Sequence, residues 1–334
     1  MIIPARREGS KAGEALCLGA ETVIHCHDMT DGVVWTQDEP IEGAMPMPVN
    51  TRMFGEQTPS VRHQVDARWL MAYAAGIDDL NPRYMDTTQG PVIGHPLFPV
   101  CLEWPAILDS RGLPGSENLT AAERARGVHA AHDLHIFQPI VADECYETTA
   151  TIIGLKAIKP GAAQTLRLDT RNSAGELVCQ TWQLSISRGV EVEGLAIEDA
   201  QVPALPVASE GVSINQQIPI VVNAGAANIY TECARIWNPI HSDKAFALAA
   251  GLPNIILHGT ATLALAVTRI VNAFLDEDPT RVTRIGGRFT GMVLMPEVLS
   301  LQIRWRSSTY LGFVITNRAG EEVFSQGFIG YRPA

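Results

Sequence analysis

The chain has 334 residues with 36 Asp and Glu against 25 Lys and Arg, a formal net charge of −11, and is 46% hydrophobic and 18% charged. That balance, without a basic stripe, argues against nucleic acid or an anionic membrane as partner. The richest apolar stretch, Gly259–Val267, is interrupted by Thr260 and Thr262 and followed by Thr268 and Arg269, which excludes a membrane-spanning helix there, while the length suggests about two domains' worth of core.

The first 48 residues read as an extension, with scattered Gly and Pro, a short alternating stretch at Thr22–His27 and a proline-marked exit at Met45–Pro48. Their first residues lack the apolar core of a secretory signal, so the cytoplasm is the expected compartment. The six cysteines (Cys17, Cys26, Cys101, Cys145, Cys179, Cys233) form no C-x-x-C pair and read as reduced thiols rather than a zinc or redox site.

Beyond the extension the chain repeats itself. Tyr73, Asp79, Asn81, Pro82, Tyr84 and Asp86 are matched, at a constant offset of 157, by Tyr230, Ile236, Asn238, Pro239, His241 and Asp243. In both copies an Ala-rich helical stretch runs into the Asn-Pro. His95-Pro96 follows the first copy and His258-Gly259 the second, each opening an apolar stretch. The stripe Leu263, Val267, Ile270, Phe274 has helical spacing and predicts a central helix with one face buried.

After each central helix the pattern changes to period two. Strands are expected at His129–Phe137, Tyr146–Leu155, Ala163–Thr170 and Leu177–Ser187, and again at Thr283–Thr290, Val298–Arg306, Leu311–Thr316 and Glu322–Tyr331, with glycine-bearing turns at Gly161, Gly175 and Gly320. Each half thus reads as helix, Asn-Pro loop, central helix and four strands in hairpin order, an α+β architecture. The expected division is an extension 1–48, a first half 49–192, a linker 193–206 rich in Pro and acids, and a second half 207–334.

The run Trp237-Asn238-Pro239-Ile240-His241-Ser242-Asp243 through Leu257-His258-Gly259 resembles the signature of the MaoC-like, type-two (R)-specific enoyl-CoA hydratases. The likeness covers roughly residues 60–334, specific around Asn238–Gly259 and looser in the first half. It implies a double hotdog, two antiparallel sheets each wrapped on a central helix, as a pseudo-dimer in one chain. It further implies an enzyme that interconverts a 3-hydroxyacyl-CoA and a 2-enoyl-CoA, without cofactor or metal, with an acyl-CoA thioester as partner and a homodimer or hetero-oligomer as assembly.

Hydration of an unsaturated thioester needs a group to take a proton from water, a group to give one to the α-carbon, and a donor for the developing enolate oxygen. An imidazole suits the first two at neutral pH, and the orphan amides of a helix N-terminus suit the third. By resemblance His241 is the acid/base, the Gly259 N–H the oxyanion donor, and Asn238 the residue that positions water and loop.

The family's carboxylate two positions before the Asn is Ile236 here, whereas the first half keeps Asp79 and has Tyr84 in place of the His. Three readings follow. Glu232, Arg235 or Asp243 substitutes near His241; Asp79 joins His241 across the halves; or the site binds a thioester without hydrating it, as a binding or partner subunit, with a hotdog thioesterase as a further alternative. Tyr230, His258 and Arg288 are the expected substrate contacts, Tyr73 and Tyr230 reading equally as packing residues and His258 as a structural ring. Arg281, Arg284 and Arg288 are candidates for coenzyme A phosphates. His25-Cys26-His27-Asp28 and His129, Asp133, His135 read better as polar strand faces than as metal ligands.

Overall fold

The computed structural model describes residues 48–333, apart from 117–118, 121–122, 124–126, 200–201 and 209–210. His25, Cys26, His27 and Asp28 therefore lie outside the described residues. The first half comprises β1 (Val49–Asn50), β2 (Val61–Val65), α1 (Ala67–Gly76), α2 (Pro82–Met85), α3 (Pro99–Ser110), β3 (Gly127–Ile136), β4 (Glu144–Ile158), β5 (Gly161–Asn172) and β6 (Leu177–Arg188). Two short strands, β7 (Val192–Glu193) and β8 (Ile197–Glu198), follow it. The second half comprises β9 (Val212–Val222), α4 (Ala226–Ala234), α5 (Lys244–Ala249), α6 (Gly259–Phe274), β10 (Val282–Phe289), β11 (Glu297–Arg306), β12 (Tyr310–Thr316) and β13 (Glu322–Tyr331).

All eight strands expected from alternation are present. The sequence reading lacked β2 and β9, which open each half. Both lie at the ends of the sheet, hydrogen-bonded on one side to β4 and β11 respectively, and much of β9 is exposed. An edge strand buries little, so its alternation is weak.

The sheet order is β2-β4-β5-β6-β3-β10-β13-β12-β11-β9. Read from its outer edge inward, each half gives the same order, as a twofold-related pair requires. The two sheets expected from the repeat are joined into one by β3 and β10, which pair antiparallel with Leu134 opposite Ile285. One core cluster runs through both halves from Val65 to Tyr331, and residues 46–334 form one compact unit.

The central helix of the second half, α6, is buried more completely than its stripe predicts. Ten of its sixteen residues are buried, including Ala264, Ala266 and Thr268 off the stripe, so the helix is enclosed rather than laid on a surface by one face. Among the described residues no helix is long and apolar enough to cross a membrane.

Candidate active site

The second Asn-Pro loop is built by local capping. α4 ends on Arg235 in the left-handed region at φ 56°, and the Ile236 N–H returns to the Thr231 carbonyl at 3.2 Å, which turns the chain sharply. Asn238 then caps a 3-10 turn over Pro239–His241, its side chain accepting from the Ile240 N–H, with Pro239 at the first helical position. Asp243 caps α5 through the Phe246 N–H at 3.1 Å. Asn238 thus acts as a positioning residue, holding the turn that carries His241.

The tautomers of the two histidines follow from their partners. His241 Nδ1 lies 2.8 Å from the Ile256 carbonyl, which can only accept, so Nδ1 carries the proton and Nε2 keeps a lone pair. Burial pushes the His241 imidazole down to about 4, so it is a neutral base near pH 7. His258 Nε2 lies 3.3 Å from the Ile236 carbonyl and donates to it. The His258 ring is stacked on His241 with centroids 3.7 Å apart, and burial holds it well below its ordinary value.

His258 leads directly into Gly259, the first residue of α6, whose N-terminus no side chain caps. Its first-turn amides are available to an anion. Glycine is required there by close approach: a Cβ would stand 2.7 Å from the Phe289 ring. Tyr230 packs tilted against His258 with centroids 4.9 Å apart and donates from its hydroxyl to Thr260 Oγ1 at 3.1 Å. The Tyr73 and Tyr230 hydroxyls meet at 3.3 Å, so the repeated tyrosines touch across the pseudo-twofold. The sequence reading missed Thr260 and Phe289; the adjacency of Thr260 to Gly259 was the one signal for it.

Ile236 is in the main core cluster, 6% exposed, and offers the site only its backbone carbonyl. Among the described residues no carboxylate is a partner of His241. Glu232 is exposed and accepts from Trp237 Nε1 at 3.4 Å, Asp243 is the cap just described, and the Arg235 guanidinium lies over the Trp69 ring at 3.9 Å.

Nor is Asp79 brought to His241. It is 3% exposed, and His95 Nε2, Thr268 Oγ1 and Asp79 Oδ2 form a chain at 3.3 and 2.8 Å. His95 Nδ1 accepts from the Leu97 N–H at 3.1 Å, so Nε2 carries the proton. That proton goes to Thr268, whose own goes to Asp79. Burial raises the Asp79 carboxyl above its ordinary value. Thr268 sits eight residues after Thr260 on α6, about 12 Å along the axis. Asn81 Nδ2 also donates across the halves, to the Glu277 carbonyl at 2.7 Å. The first Asn-Pro loop is thus a tether onto the second half, and its Tyr84 fills the core.

Two phosphate candidates are corrected. Arg284 is buried in a two-pronged pair with Asp133, Nε to Oδ1 at 2.8 Å and Nη2 to Oδ2 at 2.6 Å, which also commits Asp133 away from any metal. Arg281 is held by Asp276 at 2.6 Å and by the Arg332 carbonyl. Arg288 is exposed, with no ion pair among the described residues, on β10 beside Phe289. Cys101, Cys145, Cys179 and Cys233 are free thiols.

Residues 207–316 match the MaoC-like domain and residues 52–181 match the FAS1-like dehydratase domain region. The second half thus holds a MaoC-like domain and the first half a FAS1-like dehydratase region. The chain is 25% identical over 276 residues to the peroxisomal enoyl-CoA hydratase 2 of Arabidopsis thaliana, covering 74% of this chain and 84% of the plant protein. It is 43% identical over 95 residues to the enoyl-CoA hydratase ChsH3 of Mycobacterium tuberculosis, covering 28% of this chain and 32% of that one. In fold it is similar to a MaoC-like dehydratase from Phytophthora capsici, with a TM-score of 0.68, 19% identity, and 83% and 97% of the two chains covered. It is also similar to a double-hotdog protein of Mycobacterium tuberculosis, with a TM-score of 0.56, 14% identity, and 83% and 95% covered. The expected double hotdog is the fold of this chain.

Proposed function

We propose that the chain adds water to a 2-enoyl-CoA, and removes it from a 3-hydroxyacyl-CoA, with His241 as its single acid/base. The observation that carries this reading is the commitment of His241 Nδ1–H to the Ile256 carbonyl, which leaves Nε2 a lone pair on a ring stacked against His258, the residue before the uncapped start of α6. The matched dehydratase regions and the hydratase named in Arabidopsis support the reaction class.

One imidazole suffices if it works twice. Nε2 takes a proton from water as the water oxygen bonds to the β-carbon, and the π electrons move through the α-carbon onto the thioester oxygen. The Gly259 N–H, helped by the helix dipole, stabilises that oxygen. The imidazolium then returns its proton to the α-carbon as the carbonyl re-forms. Asn238 holds the turn, His258 holds the ring plane, and Thr260, whose oxygen accepts from Tyr230, keeps its own hydrogen to orient the water. Arg288 is the arginine of its group open to the coenzyme A phosphates.

The test is hydration of crotonyl-CoA, followed by loss of enoyl absorbance, for the native protein and for His241→Ala. Turnover by the native protein and its loss in the variant supports the reading. Retained turnover in the variant overturns it. Ile236 favours a second reading, a thioester-binding subunit; crotonyl-CoA bound by the native protein without any loss of absorbance selects it.

A further inference from the structure

His132 on β3 is 2% exposed, and neither of its ring nitrogens has a hydrogen-bond partner among the described residues. A buried donor and acceptor left unpaired destabilise the fold where a leucine or phenylalanine would not, so His132 is unexplained by packing. Its place in the sheet shows where the ring points. Leu134, two residues on, is a fully buried core residue opposite Ile285, and alternation puts His132 on that same inner face. His132 is opposite Gly287, where a Cβ would stand 2.5 Å from the Phe324 ring. Asp133, on the other face, is consumed by Arg284.

A series of ring contacts connects this position to the candidate active site. Gly259 abuts Phe289, the Phe289 and His129 rings are 4.7 Å apart, and the His129 and His132 rings are 5.4 Å apart. Phe289 also meets Phe324 edge to face at 5.1 Å. His129 Nε2 lies 3.1 Å from the Ala131 carbonyl and is satisfied. The rings packed beyond Phe289 therefore form one aromatic cluster, with one neutral imidazole at its end able both to donate and to accept.

We propose that His132 recognises an oxygen function, a hydroxyl or ketone, on the acyl chain away from the thioester, so that the preferred substrate is an oxygen-bearing enoyl-CoA rather than a plain hydrocarbon one. This rests on the hydratase reading and names its substrate class. A site that hydrogen-bonds a substrate oxygen discriminates strongly against the analogue lacking it, because its own polar group is then left unpaired.

The experiment compares kcat/KM for trans-2-octenoyl-CoA with the values for its 6-, 7- and 8-hydroxy derivatives. At least one derivative is expected to exceed octenoyl-CoA by about tenfold or more. His132→Leu collapses that ratio toward one, and His132→Gln, which keeps a donor and an acceptor, retains part of it; circular dichroism and melting show that each variant is folded. Equal turnover of octenoyl-CoA and all its derivatives, or an unchanged ratio in folded His132→Leu, overturns the assignment of His132 while leaving the hydratase reading standing. No turnover of any of the four while crotonyl-CoA is hydrated overturns the assignment of His132, and no turnover of crotonyl-CoA either overturns the hydratase reading itself.

Discussion

His258 lies on the face of His241, ring centroids 3.7 Å apart and planes 25° apart, and the two imidazoles are neutral together. Among the described residues a proton placed on His241 has no carboxylate to receive its charge and has a buried ring against it, so in the proposed reaction the imidazolium is a strong acid suited to protonating carbon. In the proposed reaction the active form is neutral His241, pushed down to about 4. kcat/KM is therefore expected to stay level from pH 8 down to about pH 5. A steady-state pH profile checks this, and a break near the ordinary histidine value of about 6.5 contradicts the buried placement.

In the proposed reaction His241 makes both proton transfers, so removing its imidazole removes both. His241→Ala is expected to lower kcat by a factor on the order of 10² to 10⁴, the usual range for general acid/base groups. Because His241 is only partly buried, its melting temperature should stay within a few degrees of the native value. Loss of activity accompanied by loss of the melting transition would show a folding defect instead.

Burial of histidines also sets the acid limit of the fold. His95 and His129 are pushed down to about 3, and His132 and His241 to about 4, all by desolvation. Between about pH 6.5 and those values the unfolded chain binds protons that the folded chain refuses. Each group then removes stability as the pH falls, with a limiting slope of about 1.4 kcal/mol per pH unit. Glu103 on α3 has the opposite sign: burial raises its carboxyl to about 7, so its contribution is lost as the pH rises from about 4.5 through 7. Below pH 6.5 these histidines, with His258 lowered as well, outweigh the raised carboxyls Glu103 and Asp79. Thermal melting from pH 8 to 4.5 should show a steep fall below 6.5, with Glu103→Gln more stable than the native protein at pH 8. A level melting temperature between pH 6.5 and 5 is incompatible with neutral buried rings.

The repeat at an offset of 157 made the fold legible, because Tyr73 and Tyr230, Asn81 and Asn238, and the strand runs keep their patterns at the level of single residues. The join of β3 to β10 was not legible, since alternation tells which face a residue takes but not which strand lies beside it. His241 and Gly259 could be proposed because their chemistry is local to a motif. The partners of Asp79 could not: Thr268 is 189 residues away, and nothing in either segment marks the other. Arg284 looked available for the same reason, its Asp133 partner being 151 residues distant.

Gly259→Ala adds one methyl group where a Cβ would stand 2.7 Å from the Phe289 ring. Either Phe289 shifts or the first turn of α6 does, and overpacking of this kind costs about 1–3 kcal/mol. Since the proposed reaction draws its oxyanion donor from that turn, kcat should fall about tenfold or more although alanine is the better helix former. A variant with native kcat and a raised melting temperature would place the oxyanion donor elsewhere.

The pair Asp133 and Arg284 joins the two half-sheets on the outer face of β3 and β10, with Arg284 Nη2 also donating to the Ala204 carbonyl at 2.9 Å. Asp133→Ala leaves a buried guanidinium without its carboxylate, and breaking a buried pair on one side costs about 3–5 kcal/mol. Replacing both, Asp133→Leu with Arg284→Met, removes the unpaired charge and should recover most of that loss, because the desolvation of the ions disappears with them. Urea unfolding of the single and double variants measures the difference. If the double variant is as unstable as Asp133→Ala, the pair contributes through its bond to Ala204 and the segment that carries it, and not through charge neutralisation at the sheet junction.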